Sequence, residues 1–271
     1  MLKTLFLVVI FMKIICYSDL HLEFGTNFNL PDVCEADILI LAGDIITFTD
    51  YNPLLKLLRN WKKPVLYVTG NHEYYTREPI AQENQKFKAW TKENTPQLIS
   101  LQDEFITIDG INFFGGTMWT DFDQANQSAM LKAQAGMNDF RLIRTADKQT
   151  ILTPQDTIGF HEAFKQKLID WLEMPLLGER VVVTHHAPVI NPKTQYADSP
   201  ISPAFNSLDM LKIIENYQPD LWIYGHTHEC DDQAIGKTRI LSNQLGYPNG
   251  LGGYECLDFK PDGCPIDIEK N

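Results

Sequence analysis

Residues 37–73 read DILILAGDIITFTDYNPLLKLLRNWKKPVLYVTGNHE. Asp37–Leu41 is an apolar run of strand length that ends in Ala42-Gly43-Asp44. Pro53–Trp61 places apolar residues at 54, 55, 57, 58 and 61, which is helical spacing. Pro64–Val68 is a second apolar run, and it ends in Thr69-Gly70-Asn71-His72-Glu73. Strand, helix, strand at this spacing is a βαβ crossover, which joins parallel strands.

Outward from this unit the same pattern recurs. Lys13–Tyr17 precedes Asp19-Leu20-His21, Val181–Val183 precedes His185-His186, and Leu221–Tyr224 precedes Gly225-His226-Thr227-His228. Six of the seven histidines fall in these exit segments and in Asn71-His72-Glu73. Five strands that each end in a candidate metal ligand would converge if they share one sheet. Asp19 and His21 alternate at i and i+2, so an extended segment aims both at one point, and His226 and His228 repeat that spacing. Gly43 and Gly70 let the backbone turn tightly before Asp44 and Asn71. Two divalent cations about 3.5–4 Å apart need carboxylate and imidazole ligands and a bridging oxygen. Such a set suits manganese, iron, zinc or nickel, and the lack of thiolate argues against structural zinc.

The rest of the chain reads as support. Glu78–Glu93 and Gln155–Glu173 are helices. Leu98–Leu101, Glu104–Ile108 and Ile111–Phe114 are short strands, with a hairpin signal at Asp109-Gly110. Residues 117–154 read as a loop-and-helix insertion near the site. Ser207–Tyr217 is a helix with Asn206 or Ser207 as N-cap, and Arg239–Leu241 and Tyr254–Phe259 read as closing strands. One domain is expected over residues 12–271, with residues 1–11 as an apolar N-terminal extension. Leu5–Ile10 follows Lys3 like the core of a signal peptide, but no small-residue cleavage site follows it. It is far shorter than the roughly 20 apolar residues that span a bilayer.

Apolar content of 44% and charged content of 21% over 271 residues are ordinary for a globular protein. A net charge of −12 argues against sequence-independent binding to duplex nucleic acid, which needs a basic footprint. The five cysteines show no CxxC spacing and read as reduced thiols. A cytoplasmic location is expected, with export or membrane association through residues 1–11 as the alternative.

DxH, then GD, then GNHE, then a strand ending in His, then GHTH resembles the calcineurin-like metallophosphoesterase superfamily, from Met12 to about Phe259. The resemblance implies an α/β fold, a four-layer αββα sandwich of two mixed β-sheets flanked by helices. It implies one metal on Asp19, His21, Asp44 and His228 and another on Asp44, Asn71, His185 and His226, with Asp44 bridging. The implied activity is hydrolysis of a small phosphate ester by in-line attack of a metal-bridging hydroxide, as a phosphodiesterase or phosphatase. His72 matches the family's catalytic non-ligand histidine, which assists the leaving group. His185 is preferred to His186 as ligand, leaving His186 and Arg141 as candidate substrate contacts. Thr69 and Gly43-Asp44-Ile45-Ile46-Thr47 depart from the Ser/Thr protein phosphatase pattern. Thr47 stands where those enzymes carry the Asp that pairs with the catalytic histidine, so the orientation of His72 is unexplained. Trp119 and Tyr247 offer stacking surfaces or rim packing, and His161 stands outside every cluster. A pyrophosphohydrolase of nucleotide-type substrates and a non-catalytic scaffold on the same fold are the alternatives.

Overall fold

The computed structural model describes residues 10–31, 35–250 and 252–270. Residues 1–9, most of the apolar N-terminal extension, lie outside the described residues. The chain forms two β-sheets. The first contains β1 (Ile10–Tyr17), β2 (Ile38–Ala42), β3 (Val65–Val68) and β4 (Leu98–Ser100), all parallel. The second contains β5 (Glu104–Ile108), β6 (Ile111–Gly116), β7 (Arg180–Thr184), β8 (Leu221–Tyr224), β9 (Asp231–Ile235) and β10 (Thr238–Ser242). Its central strands β6, β7, β8 and β10 are parallel, and the edges β5 and β9 are antiparallel. The last strand, β11 (Ile266–Lys270), returns to the first sheet and pairs antiparallel with β1.

The sheets stack face to face. Met12, Ile14 and Cys16 of β1 meet Phe113 of β6 and Val181 and Val183 of β7 in one buried cluster. The alternate residues Ile15 and Tyr17 face outward into a second cluster, as the period of two along a strand requires. That outer face is covered by α1 (Asn52–Leu58) and α2 (Ile80–Asn94), through Leu54, Leu57 and Phe87. Two helices of the 117–154 segment, α3 (Gln127–Gly136) and α4 (Asp139–Leu142), pack there too, through Ala129, Ala133 and Phe140. The outer face of the second sheet is covered by α5 (Pro154–Leu172) and α6 (Met210–Tyr217), with Phe164, Leu168, Trp171 and Ile214 against Val182 and Trp222. The layers are therefore helix, sheet, sheet, helix. Both faces of the inner strands are buried, which is why they read as continuous apolar runs.

Several local expectations change. The five ligand-bearing strands do not share a sheet: β1, β2 and β3 lie in one and β7 and β8 in the other. Their ends converge because the sheets stack with those ends at one rim. Tyr254–Phe259 is not a strand; the closing strand is Ile266–Lys270, whose buried and exposed residues alternate. Strand β9 lies at an edge of the second sheet with alternate residues exposed, and its Asp231-Asp232-Gln233 start hides it. The helix expected at Ser207 begins at Met210, and no side chain caps it; Ser207 instead donates its hydroxyl to the Trp119 carbonyl. Among the described residues, no helix is long and apolar enough to cross a membrane.

Candidate active site

The carboxyl ends of β1, β2, β3, β7 and β8 form one rim, the position where α/β sheets place ligands. The exit backbones are bent hard. Asp19, His21, Asp44, His226 and His228 all have positive φ, between 44° and 74°. None is a glycine, so each sits in a sparsely populated region that costs on the order of 1–3 kcal/mol, and such residues concentrate at functional sites. Tight approach explains the neighbouring glycines. A Cβ on Gly43 would meet Gly70 N at 2.7 Å and collide with His185, and one on Gly70 would collide with the Asp44 carboxylate.

The rim gathers two trios, Asp19 with His21 and His228, and Asp44 with His185 and His226. Ligand atoms within each trio lie within 4.8 Å of one another. The protons of the rings are fixed from behind. His21 Nδ1 donates to Glu23 at 3.1 Å, and His228 Nδ1 donates to Glu255 at 2.5 Å. Carboxylates only accept, so in the neutral rings both Nε2 atoms are bare, and they face each other at 3.1 Å. His185 Nδ1 donates to the Ala42 carbonyl, which turns its Nε2 towards Asn71 Oδ1 at 3.0 Å and Asp44 Oδ1 at 3.3 Å. The Asn71 amide is oriented by its own donors, since Nδ2 donates to Asp139 and to the Tyr75 hydroxyl. His226 Nε2 is buried without any hydrogen-bond partner. With these rings neutral, lone pairs converge on lone pairs with no donor between them, an arrangement that cations would satisfy; without cations, protons on His185 and His228 take that place.

The electrostatics agree. Burial opposes charge on His185, but the Asp44 carboxylate overrides it and raises the pKa to about 9. At His228 burial is likewise overcome by Asp19 and Glu255, giving about 10. Burial and the adjacent His186 and His185 rings hold His226 far below its ordinary value, so it stays neutral. Burial would raise Asp44, yet His185 and His72 hold it well below the carboxylate range. Burial would also raise Glu23, but hydrogen bonds from His21 and His72 keep it low and ionised.

The seven residues expected to ligate, Asp19, His21, Asp44, Asn71, His185, His226 and His228, all reach this rim. His72 does too. Two candidates behave differently. His186 is buried behind the site, with Nδ1 on the Thr117 carbonyl and its ring 4.1 Å from His226. Arg141 is not brought to the cavity: it is exposed and its guanidinium donates to the Ala135 carbonyl. His161 bonds to Asp209, away from the rim.

Sequence reading missed four residues. Glu23 holds His72 as well as His21, accepting from His72 Nδ1 at 3.1 Å. It supplies the orienting carboxylate that Thr47 lacks, and it continues the i, i+2 alternation of Asp19 and His21. Glu255 holds His228, and Asp139, from the 117–154 segment, holds Asn71. Tyr75 joins the Asp139 contact at 2.5 Å. None of these three stands in a motif, so the sequence carried no signal for them.

Above the rim lies a cavity of about 480 Å³, within the range for small-molecule sites. Its walls come from Asn138 and Asp139 on one side, Asn191–Asn206 on another, and Tyr247.

The family description of the calcineurin-like phosphoesterases matches residues 12–230. The chain belongs to this family. This phosphoesterase is 28% identical to the uncharacterized protein L509 of Acanthamoeba polyphaga mimivirus, over 92% of this chain and 97% of that one. Its fold is similar to that of phosphopantetheinyl hydrolase from Mycobacterium tuberculosis, with a TM-score of 0.63 and 19% identity over 88% of this chain and 90% of that one. It is also similar to TT1561 of Thermus thermophilus, with a TM-score of 0.52 and 14% identity over 87% and 90% of the two chains. Family and clusters together support a binuclear divalent metal centre and metal-dependent hydrolysis of a phosphoester bond.

Proposed function

We propose that this phosphoesterase cleaves phosphodiesters that carry an uncharged second substituent. One observation carries this reading: no Lys or Arg lines the cavity among the described residues, whereas Asp139, Glu229 and Glu255 do. A phosphomonoester is a dianion near neutral pH, and sites for dianions commonly add a guanidinium or ammonium. A diester carries one charge, and two bound metals would suffice for it. Met137, Ile201 and Phe205 with the amides of Asn138, Asn191 and Asn206 suit a neutral, partly apolar substituent. The same shortage of positive charge disfavours a nucleotide-type pyrophosphate.

In this proposal one metal is held by Asp19, His21, Asp44 and His228, and the other by Asp44, Asn71, His185 and His226. Manganese is favoured among ions that take imidazole and carboxylate. The bound pair would supply a nucleophile at neutral pH and neutralise the phosphoryl oxygens. The chain itself fixes the ligand tautomers through Glu23, Glu255 and the Ala42 carbonyl, and orients Asn71 through Asp139.

Metal-stripped protein reloaded with Mn²⁺ should hydrolyse bis-p-nitrophenyl phosphate faster than p-nitrophenyl phosphate. A ratio in kcat/KM of at least about tenfold is expected, which is about 1.4 kcal/mol of transition-state preference. The opposite order would move the assignment to a phosphomonoesterase.

Metal loading should also release protons. His185 and His228, with pKa values raised to about 9 and about 10, hold protons at pH 7 in the metal-free protein. Metal competes for the same nitrogens, so affinity should rise as pH rises from 7 towards 9, with release of roughly two protons per chain at pH 7. Titration calorimetry in buffers of different ionisation enthalpy measures that number. A pH-independent affinity with no proton release would remove these two histidines from the ligand set.

A further inference from the structure

We infer that the Tyr247 hydroxyl, rather than the His72 ring, hands the proton to the leaving group, with His72 acting through it. The inference rests on the phosphodiesterase reading above. Its basis is that both nitrogens of His72 are already engaged. Nδ1 donates to Glu23, and Nε2 lies 2.7 Å from Tyr247 Oη. Glu23 can only accept, so Nδ1 keeps its hydrogen and only Nε2 can exchange one. That nitrogen faces the Tyr247 hydroxyl. His72 cannot swing past it, because the ring is 6% exposed and is held between Tyr75 at 4.2 Å and His21 at 4.4 Å. Its backbone N–H is tied to Asp44 as well.

Tyr247 is placed with equal care. Leu245 N donates to the Ser18 carbonyl, Gly246 N to the Asp19 carbonyl and Tyr247 N to Glu255. Gly246 has φ +76°, and a Cβ there would lie 2.9 Å from the Glu255 side chain, so this turn needs glycine. The turn sets the Tyr247 ring 4.4 Å from His21 and 4.5 Å from His228, on the wall of the cavity. A loop pinned at three backbone sites, two of them at the exit of β1, therefore sets one hydroxyl against His72 Nε2 on the wall of the cavity that both residues line.

The step balances as follows. The P–O bond to the leaving group breaks with its electron pair on the leaving oxygen. That oxygen takes the Tyr247 hydroxyl proton as the Tyr247 oxygen takes the Nε2 proton of the doubly protonated His72 ring. Tyr247 ends neutral, His72 keeps its Nδ1 proton on Glu23, and solvent restores Nε2 after the alcohol departs. The incoming oxygen comes from water, whose surplus proton goes to solvent. Tyr247 is then a catalytic residue and Glu23 a positioning residue.

The test is a series of aryl methyl phosphodiesters running from the 4-nitrophenyl to the phenyl leaving group, with Mn²⁺-loaded wild type, Tyr247→Phe, His72→Gln and the double variant. Metal content and melting temperature are measured for each. A missing proton donor hurts poor leaving groups most. Each single variant should lose only a few-fold on the 4-nitrophenyl ester and about 10²-fold or more on the phenyl ester, within the range for general acid catalysis. The double variant should be no worse than either single, because the two residues serve one proton path. Wild type alone gives a second measurement: a proton inventory on the phenyl ester should curve, with two protons in flight. A Tyr247→Phe variant with the wild-type dependence on leaving group, or a linear inventory, would overturn the relay while leaving the phosphodiesterase reading intact. Metal-loaded wild type that cleaves no member of the series would overturn that reading, and the relay with it.

Discussion

Asp44→Asn should leave the protein folded but strip it of metal at both positions and reduce turnover by more than the roughly 10²–10⁴-fold that a general acid–base group contributes. The expectation comes from where the two carboxylate oxygens lie. Oδ1 is 3.3 Å from His185 Nε2 and Oδ2 is 3.9 Å from His21 Nε2, so one side chain faces both trios. The substitution is nearly isosteric, and the Asn side-chain oxygen can still accept the His72 backbone N–H that Asp44 Oδ1 accepts at 2.9 Å. What disappears is charge at the point shared by the proposed metals. That charge also holds up the His185 pKa, so His185 should lose its proton more easily in the variant. The loss of metal is then not a consequence of greater proton competition. Elemental analysis after dialysis against Mn²⁺ should give two ions per chain for wild type and less than one for the variant. Two ions retained with activity lost would place Asp44 outside the ligand set and in a purely electrostatic role.

Much of this site is legible in the sequence because ligation was written as local spacing. Asp19 and His21, or His226 and His228, need only their own short segments to point together, so a reader of the chain finds them. The inner strands are legible for the same reason, since burial on both faces leaves an unbroken apolar run. Edge strands lose that signature. Ile266–Lys270 buries only alternate residues and Asp231–Ile235 only its first, and both were missed. The pairing of two sheets is likewise not local: nothing in Val181–Val183 says that it will stack on β1 rather than extend its sheet. Asp139 and Glu255 belong to this class. Each is 27 or more residues from the ligand it orients, on a segment with no motif. Arg141 shows the converse error, a residue chosen for its chemistry alone. Its short helix begins at Asp139, and that residue, not Arg141, turns to the site.

Glu73→Ala should be the most destabilising single substitution around the rim. Glu73 is fully buried and accepts four hydrogen bonds. Oε2 takes the N–H groups of Asp44 at 3.0 Å and Gly70 at 2.8 Å, and Oε1 takes Ile45 N at 2.9 Å and the Tyr67 hydroxyl at 2.6 Å. One carboxylate thus ties the exit of β2 to the exit of β3, where Gly43 and Gly70 leave no room for a side chain to do it. Burial and the nearby Asp44 carboxylate push its pKa up, against the pull of the Tyr67 hydroxyl and the backbone donors. Alanine removes both acceptor oxygens and leaves four buried donors. Each unsatisfied group costs about 1–3 kcal/mol, and water entering the vacated space recovers part of that. A net loss of about 3–5 kcal/mol is expected from these four groups together. At roughly 2–4 °C per kcal/mol for a large domain, the melting temperature of metal-free protein should drop by about 6–20 °C. Glu73→Asp should fall between, because the shorter carboxylate cannot reach both loops at once. The comparison must be made without metal, since the loops also position Asp44 and Asn71, and metal would add its own binding energy to the difference. A metal-free Glu73→Ala variant that melts within about 2 °C of wild type, less than 1 kcal/mol on this scale, would mean that the paired exits of β2 and β3 hold together through their neighbouring strands alone.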